Sequence, residues 1–467
     1  MVLVKLTLLA ALGLGPGSGP EAESEAAALV ARLGSARWAD REAAAVALER
    51  LGRAALPALR AARQAKDPEV QTRAAALLER IESGLMVKPT LVRLDYRDRP
   101  LTDVVRDLGE QSRIGLALFP ENNPALTSRR VTLQESEPLP FWKAIDRLTQ
   151  TARLQYNPMM QGMVVNGTRG AALILTDGLA ELPPISDQGP FRVLLTGLHY
   201  QRDRHFGPGH GVGMIIQNGV PVPQGGRGSA EVFYALLQVM AEPRMILAQR
   251  GPLALTEAVD DRGNSLLPPT SNPALQRHSG FFGYIGSSGA ASLTLQAPLR
   301  FPEMPGRTIK RLRGTIPVLA ASRKDEPTIV NLADGKGKPH RAAEVTLIVN
   351  EVRADPNNAQ MTEIDLTLRS NGPPSETPGM PARHLQEAVQ YRGPSNPQSP
   401  LEILDAQGRP YPQWFPKSQS FGPEEVRITL SLHPAGNAIG APAQIRYYDF
   451  IRAATEINFD FVDVPMP

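Results

Sequence analysis

The chain has no cysteine among its 467 residues. This absence excludes disulfide bonds, thiol nucleophiles, cysteine-ligated zinc and lipid attachment through an N-terminal cysteine. Lysine is also rare, because only nine of the 50 basic residues are lysine and the rest are arginine. The net charge is only +3, and no stretch concentrates the basic residues into the stripe that is typical of phosphate binding. We therefore expect no nucleic-acid partner.

Long hydrophobic runs are missing too, apart from a short one near the start. The first residues read "MVLVKLTLLAALGLGPGSGPEAES", with Lys5 before an apolar run from Leu6 to Leu14 and a break of small residues and proline after it. This layout is typical of a secretory signal peptide, and the run is too short for a permanent membrane span. We predict a signal peptide over residues 1–20, export to the periplasm or cell envelope, and no transmembrane segment after it. A helical or disordered tail is the alternative.

Residues 21–86 are rich in alanine, leucine, arginine and glutamate, and they contain two segments that match at a spacing of thirty residues. Between these segments, Gly52 is placed to end one helix, and Asp67 with Pro68 are placed as the N-cap and first residue of another. Helices at such a period predict a short α-solenoid. The matched apolar positions are Ala44 with Ala74, Leu48 with Leu78, and Leu51 with Ile81.

The helical segment "DREAAAVALERLGRAALPALRAARQAKDPEVQTRAAALLERI" resembles a HEAT-type repeat, with "DPEV" as the turn between repeats. The resemblance implies a module that packs or binds and carries no catalytic group. A repeat of this kind buries its apolar face only against neighbours, so one and a half units need a further surface to pack on. A generic alanine-rich helical hairpin remains the alternative.

Residues 88–178 contain the same strand-helix-strand pattern twice, first as "LVRLDYRDRPLTDVVRDLGEQSRIGLAL" and then as "RVTLQESEPLPFWKAIDRLTQTARLQY". Each helix has an apolar stripe at i, i+3, i+4 and i+7, so we predict an α+β domain in which the copies share one core. We expect further strands around Met163–Asn166 and Ala172–Leu175. The stripes are Leu101, Val104, Val105 and Leu108 in the first copy, and Phe141, Ala144, Ile145 and Leu148 in the second.

The doubled segment resembles the short N-terminal (STN) domain that secretins and TonB-dependent receptors share. The resemblance covers about a fifth of the chain and follows a pattern of apolar spacings. It implies a periplasmic interaction module. No outer-membrane barrel or plug sequence follows, and Trp142 beside Pro140 is unusual at the start of the second helix. The expectation is therefore confined to the module and does not extend to a receptor or secretin.

From Pro190 onward, short alternating apolar segments are separated by turn residues, as in antiparallel β-sandwiches. We predict two tandem antiparallel β-sandwich domains over residues 186–325 and 340–467, joined by a linker between Ala321 and His340. Two strands end in the same Asp-x-x-Gly pattern. These are "EAVDDRGNSLLP", with Asp260 and Gly263, and "EILDAQGRPYPQ", with Asp405 and Gly408.

Candidates for chemistry are few. His199, His205 and His210 form a weak candidate metal site, but their spacing fits neither a helical i, i+4 pair nor alternate positions on one strand. The tract "GPGHGVG" lacks the lysine and hydroxyl residues of a phosphate loop. No Gly-x-Ser-x-Gly elbow is present. We expect solvated loop histidines, no cofactor and no catalytic residue.

Acidic pairs do not predict a functional site either. Asp260 and Asp261 suggest calcium, but too few oxygen ligands follow, so an Asx-type turn explains them better. Asp460 and Asp463 are placed on opposite faces of one strand, which does not suit a glycosidase pair.

Two polar insertions, "RDRHFGPGHGVGMIIQNGVPVPQGGRGS" and "NGPPSETPGMPARHLQEAVQYRGPSNPQSP", are predicted to be sandwich loops, with a short helix over Leu385–Tyr391 in the second. The expected function is non-enzymatic extracytoplasmic binding or scaffolding, with other envelope proteins as partners. One alternative is a docking component of a secretion or transport complex. Another is an envelope enzyme or carbohydrate-binding protein with its site on the sandwich loops. The sequence leaves the oligomeric state open.

Overall fold

The structure is a computed structural model in which strands of several sheets make up 48% of the residues and helices are few. The chain forms two compact units, Met1–Lys88 and Pro89–Pro467. In the described residues, no helix is long and apolar enough to cross a membrane. The predicted signal peptide lies outside the described residues, except for Pro20. The structure describes residues 20–156, 173–178, 182–204, 213–217, 220–224, 229–268, 292–356, 358–372, 385, 399–411, 413–434 and 439–467.

The first unit is helical. Its helices share one apolar core, to which Leu33, Leu48, Leu59 and Leu78 contribute. The predicted ends are confirmed: α2 ends at a glycine cap with φ of 56°, and the Asp67 side chain accepts from the N–H of the second residue of α4 at 2.9 Å. The elements are α1 (Pro20–Arg32), α2 (Trp38–Leu51), a 3₁₀ turn (Gly52–Ala55), α3 (Leu56–Ala62) and α4 (Pro68–Met86).

The second unit begins with an α+β region. Its two long helices both follow a proline and end on an arginine in the left-handed conformation, Arg113 with φ of 56° and Arg153 with φ of 50°. The elements are β1 (Leu91–Val92), β2 (Asp95–Pro100), α5 (Leu101–Ser112), β3 (Leu116–Phe119), α6 (Pro124–Thr127), β4 (Arg130–Gln134), β5 (Leu139–Pro140), α7 (Phe141–Ala152), β6 (Leu154–Tyr156) and β7 (Leu173–Asp177).

Three small sheets organise these strands. β1 pairs with β5, β2 pairs with β4, and the third sheet has the order β3-β7-β6 with β3 parallel to β7. All eight predicted stripe positions of α5 and α7 are buried, and they lie in one apolar cluster, which confirms the helical periodicity. Of the two further predicted strands, the one at Met163–Asn166 lies outside the described residues, and the other corresponds to β7 from Leu173 onward.

Two sheets follow. The first has the order β15-β12-β9-β8, and in the second β16 pairs with β13 and β14 along one edge. A separate hairpin, β10 with β11, lies within the insertion that was predicted to be a loop, so that prediction is wrong over these strands. The strands are β8 (Ile185–Gln188), β9 (Phe191–Arg204), β10 (Gly213–Gln217), β11 (Val220–Gln224), β12 (Ser229–Ala241), β13 (Ile246–Gln249), β14 (Ala254–Asp260), β15 (Ser292–Leu299) and β16 (Thr308–Arg323).

The last sheets have the orders β17-β24-β21 and β18-β19-β20-β23-β22, and one apolar cluster draws on both, as a β-sandwich requires. The predicted linker is wrong over β17, because Val330 of that strand is fully buried in this cluster. The strands are β17 (Thr328–Asn331), β18 (Pro339–Arg341), β19 (Val345–Asp355), β20 (Asn358–Ser370), β21 (Leu401–Asp405), β22 (Gln413–Phe421), β23 (Glu425–His433), β24 (Pro442–Tyr447) and β25 (Phe450–Pro465).

In the second insertion the structure describes only Leu385, which is buried. The rest of the predicted helix lies outside the described residues.

The strand β25 lies in the range predicted for the second sandwich but pairs with β16 of the first range along the full length of both strands. Apolar residues alternate along β25, and the three at every second position, Ile457, Phe459 and Phe461, are all buried. Alternation does not specify the partner strand. The backbone N–H of Asp460 donates to the Ser186 hydroxyl at 3.1 Å. Strand β8 therefore contacts β25 through this side chain.

A fully buried arginine joins the α+β region to the first of these sheets. Arg192 of β9 forms two hydrogen bonds of 2.7 Å to the carboxylate of Asp146 on α7 and two, of 2.8 and 2.9 Å, to Asp187 on β8. It also donates to the Tyr156 hydroxyl at 2.8 Å. Burial alone would lower the pKa of Arg192, but the hydrogen bonds to both carboxylates raise it instead. The guanidinium is therefore charged and fully paired.

Neighbouring contacts strengthen the same junction. The Trp142 ring lies 5.0 Å from the guanidinium of Arg192, and its indole N–H donates to the Pro190 carbonyl at 3.0 Å. At a second point, the fully buried carboxylate of Glu242 accepts from the backbone N–H of Thr90 at 2.8 Å and from its hydroxyl at 2.6 Å. The α+β region and the sheet therefore share both a buried ion network and hydrogen bonds.

We predict that Arg192→Ala lowers the free energy of unfolding by about 3–5 kcal/mol, because it leaves the half-buried carboxylate of Asp146 without a cation among the described residues and leaves Asp187 with Lys143 alone, at 3.2 Å. Urea denaturation measures this loss. Arg369→Ala is the control, since the exposed pair of Arg369 with Glu425 contributes at most about 1 kcal/mol. Equal effects of the two substitutions would show that the buried network does not stabilise the junction.

Candidate docking groove

A groove of about 520 Å³ lies between α5 and β3. The helix contributes one wall, and the turn and strand contribute the other. The floor is apolar, with Val105, Leu116 and Leu118 among its residues, while charged side chains lie along the rim. Lining residues are Thr102, Val105, Arg106, Gly109, Glu110, Arg113, Ile114, Gly115, Leu116, Ala117, Leu118 and Glu121.

Local sequence explains the groove. The apolar stripe of α5 faces the core, so the neighbouring face with Thr102 and Gly109 borders the groove. Arg113 in the left-handed conformation reverses the chain, and β3 begins three residues later and runs back along the helix. A Cβ added at Gly109 would lie 3.1 Å from the Ile114 carbonyl oxygen, so glycine permits the close approach of helix and turn.

One edge of β3 is unpaired among the strands that the structure describes, because β3 is the outermost strand of its sheet. The N–H of Leu173 donates to the Gly115 carbonyl at 3.1 Å, so the backbone groups of Gly115 and Ala117 face β7. Since these groups alternate along a strand, those of Leu116 and Leu118 point away from β7. The groove therefore offers backbone donors and acceptors at a strand edge.

The charges at the rim differ in how they are paired. Arg106 forms an ion pair of 2.5 Å with Asp103 on the same helix. Glu110, Arg113 and Glu121 have no ion-pair partner among the described residues. The rim thus carries charges of both signs that are available to a partner.

Sequence reasoning did not identify this groove, because the polar positions of α5 fit an ordinary solvated face. Gly109 was the available signal. A glycine inside a helix costs about 1 kcal/mol relative to alanine and therefore indicates a packing or functional reason.

The histidine candidates are only partly described. His199 is an exposed residue of β9, and its ring centroid lies 4.9 Å from that of Tyr234 on β12. His205 and His210 lie outside the described residues. Within the described part of the chain, no group of three or more histidine, aspartate or glutamate side chains is placed to hold a metal ion.

The Asx-type turn predicted at Asp260 is confirmed. One carboxylate oxygen accepts from the backbone N–H of Arg262 at 3.0 Å and of Asn264 at 2.7 Å. The other oxygen accepts from the backbone N–H of Gly306 at 2.8 Å. Gly263 has φ of 84°, which the turn requires. These donors occupy the oxygens that a calcium ion would need.

Asp405 makes the same turn. Its carboxylate accepts from the backbone N–H of Gln407 and Arg409, each at 2.9 Å, and of Gly440 at 3.1 Å, and Gly408 has φ of 74°. Burial alone would raise the pKa of Asp405, but the hydrogen bonds from the Arg409 side chain and from these backbone groups lower it to about 2. The sequence correspondence between the two turns is thus reproduced in their hydrogen bonds.

The acids of β25 are bound to different cations. Arg311 and Arg313 donate to Asp460 at 2.7 and 2.9 Å, and these hydrogen bonds lower the pKa of Asp460 to about 2. Asp463 pairs instead with Lys310 at 2.8 Å. The two carboxylates therefore do not face one site, as a glycosidase pair must.

Buried acids on β20 are paired as well. Glu363 is only 1% exposed and contacts Lys417 and, at 2.9 Å, Arg353. Asp365 accepts from Arg427 at 3.1 Å, and this interaction lowers the pKa of Asp365. Neighbouring cations bind both carboxylates, so their arrangement stabilises the sheet.

Comparisons of the chain with protein-family models, with curated proteins and with solved structures gave no match.

We predict that Asp405 makes stability depend on pH between about 4 and 2. Its folded pKa of about 2 lies below the unfolded value of about 3.9, so its contribution is present above pH 4 and is lost as the pH falls through 2. Thermal unfolding measured across this range should show a shallower pH dependence for Asp405→Asn than for the unchanged chain. Asp463→Asn, at an exposed carboxylate, is the control. Identical profiles for both variants would contradict the assignment.

Proposed function

We propose that this protein is a non-enzymatic binding or scaffold protein of the cell envelope, and that it docks to a protein partner through the groove between α5 and β3. The observation that carries the proposal is the unpaired edge of β3 beside an apolar floor. An exposed strand edge binds an extended segment by main-chain hydrogen bonds, while pockets beside it select side chains.

The modules proposed for the chain agree with this role. In this proposal, residues 21–86 form a HEAT-like helical module, residues 88–178 an STN-like module, and the sheets that follow form two β-sandwiches, with β17 in the second and β25 paired with β16 of the first. Each belongs to an architecture known mainly for interaction, and the inference from architecture to role is an analogy. With residues 1–20 as a signal peptide, the partner is an envelope protein. A secretion or transport complex is one such partner.

A rigid mounting supports binding at the groove. Helix α7 carries Asp146, and the buried bonds of this residue to Arg192 fix the α+β region on the sheet of β8, β9, β12 and β15. A surface that is held in place before binding loses less conformational entropy when a partner docks.

A photocrosslinking residue placed at Thr102 tests the proposal in cells that make the protein natively. Thr102 is exposed and lines the groove, so we expect a discrete crosslinked adduct. The matched control is Thr151, which is also an exposed helical threonine but does not line the groove. Equal crosslinking at both positions, or none at Thr102, would overturn the docking role.

A further inference from the structure

We propose that Lys417 and Asp355 form an amide cross-link through their side chains, and that Glu363 carries the protons in this reaction. Lys417 lies on β22 and Asp355 ends β19, with β20 and β23 between these two strands in the sheet. The link therefore fastens β22 to a strand with which it does not pair. Because the chain has no cysteine, a covalent tie between strands must use other side chains. This modification site is independent of the docking role proposed above.

The side-chain nitrogen of Lys417 lies between two carboxylates. It donates to one oxygen of Asp355 at 3.1 Å, and it also contacts one oxygen of Glu363. Groups that are held about 3–3.5 Å apart in the right orientation react at effective concentrations of about 10⁵–10⁸ M. The nucleophile, the acyl group and a proton carrier therefore meet at one point of the folded sheet.

The strand register explains how Lys417 reaches this point. Lys417 is the extra residue of a β-bulge, because its two neighbours pair with consecutive residues of β23. A bulge of this kind changes the direction of a side chain. On β23, the small residue Ser431 lies opposite Glu363, so the long lysine side chain can cross this strand and reach β20.

Burial favours the neutral product. Glu363 is 1% exposed and Asp355 is 9% exposed, and carboxylates that lose their water are costly even when they are paired. An amide bond between Lys417 and Asp355 replaces one cation and one anion by an uncharged group. Lys417 itself is partly exposed, so the water that the reaction releases can reach the solvent.

Glu363 is placed to act as the proton carrier. One of its oxygens accepts from Arg353 at 2.9 Å, while the other oxygen contacts Lys417. Hydrogen bonds to Glu363 and to Asp355 raise the pKa of Lys417, so the ammonium group needs a base in direct contact to become a nucleophilic amine. Arg353 thus orients the carboxylate and leaves one oxygen for proton transfer.

The reaction balances without a further reactant. Glu363 takes a proton from the Lys417 ammonium group, and the resulting amine attacks the carboxylate carbon of Asp355. One C–N bond forms and one C–O bond of Asp355 breaks. The departing oxygen leaves as water with two of the three ammonium protons, which Glu363 transfers in turn. The third proton stays on the amide nitrogen, and Glu363 ends as the carboxylate with which it began.

Peptide mapping of the purified full chain by mass spectrometry tests the proposal. Trypsin releases residues 354–369 as one peptide, which contains both Asp355 and Glu363. We expect this peptide to be joined to a segment that carries Lys417, with a mass one water below the sum of the two. Fragmentation should place the link at Asp355. Lys417→Arg keeps the positive charge but lacks the amine, and Glu363→Gln lacks the base, so both variants should give separate segments.

The matched control is Lys310 with Asp463, because these side chains form an ion pair of 2.8 Å but both are exposed. We expect no branched peptide at this pair. Circular dichroism establishes that the variants fold, and the unchanged chain decides the question even if they do not. Separate segments in the unchanged chain overturn the cross-link. A link that persists in Glu363→Gln overturns the role of Glu363, and a link at Glu363 overturns the assignment of Asp355.

Discussion

The buried guanidinium of Arg192 is the interaction on which the arrangement of the second unit depends. It neutralises one acid from α7 and one from β8, so a helix of the α+β region and two strands of the neighbouring sheet meet at one charged group. A fully buried charge is stable only if opposite charges and hydrogen bonds pair with it. Asp146, Asp187 and Tyr156 all bind it, so the α+β region that carries the groove is joined to the sheet by a fully paired charge.

Acidic side chains elsewhere in the sheets are paired in the same way. The acids that a search for catalysis would single out are held by arginine, lysine or backbone N–H groups, as at Asp405, Asp460 and Glu363. The abundance of arginine in the sequence has a structural use here, because its planar group satisfies two acceptors at once. At the groove, by contrast, Arg113 and Glu121 have no ion-pair partner in the part of the chain that the structure describes. The difference supports a binding role for the groove.

Sequence patterns predicted local features well and long-range pairing poorly. The stripes of α5 and α7, the cap at Asp67 and the turns at Asp260 and Asp405 depend on a few neighbouring residues, and the structure reproduces them. The pairing of β25 with β16 was not predictable, since alternation marks a strand and not its partner. Strand β17 was missed because four residues among charges and glycines resemble a linker. The groove requires α5 and β3 to be placed together, which no single segment encodes.

Hydrogen–deuterium exchange at β3 tests the central claim most directly. The outward amides of Leu116 and Leu118 have no strand partner among the described residues, so we expect these two amides of the peptide covering residues 114–121 to exchange rapidly in dilute solution. In the assembly isolated from native envelopes, docking at this edge predicts slowed exchange of this peptide, while peptides covering α7 stay unchanged. Equal exchange of residues 114–121 in both states would contradict docking at the edge of β3.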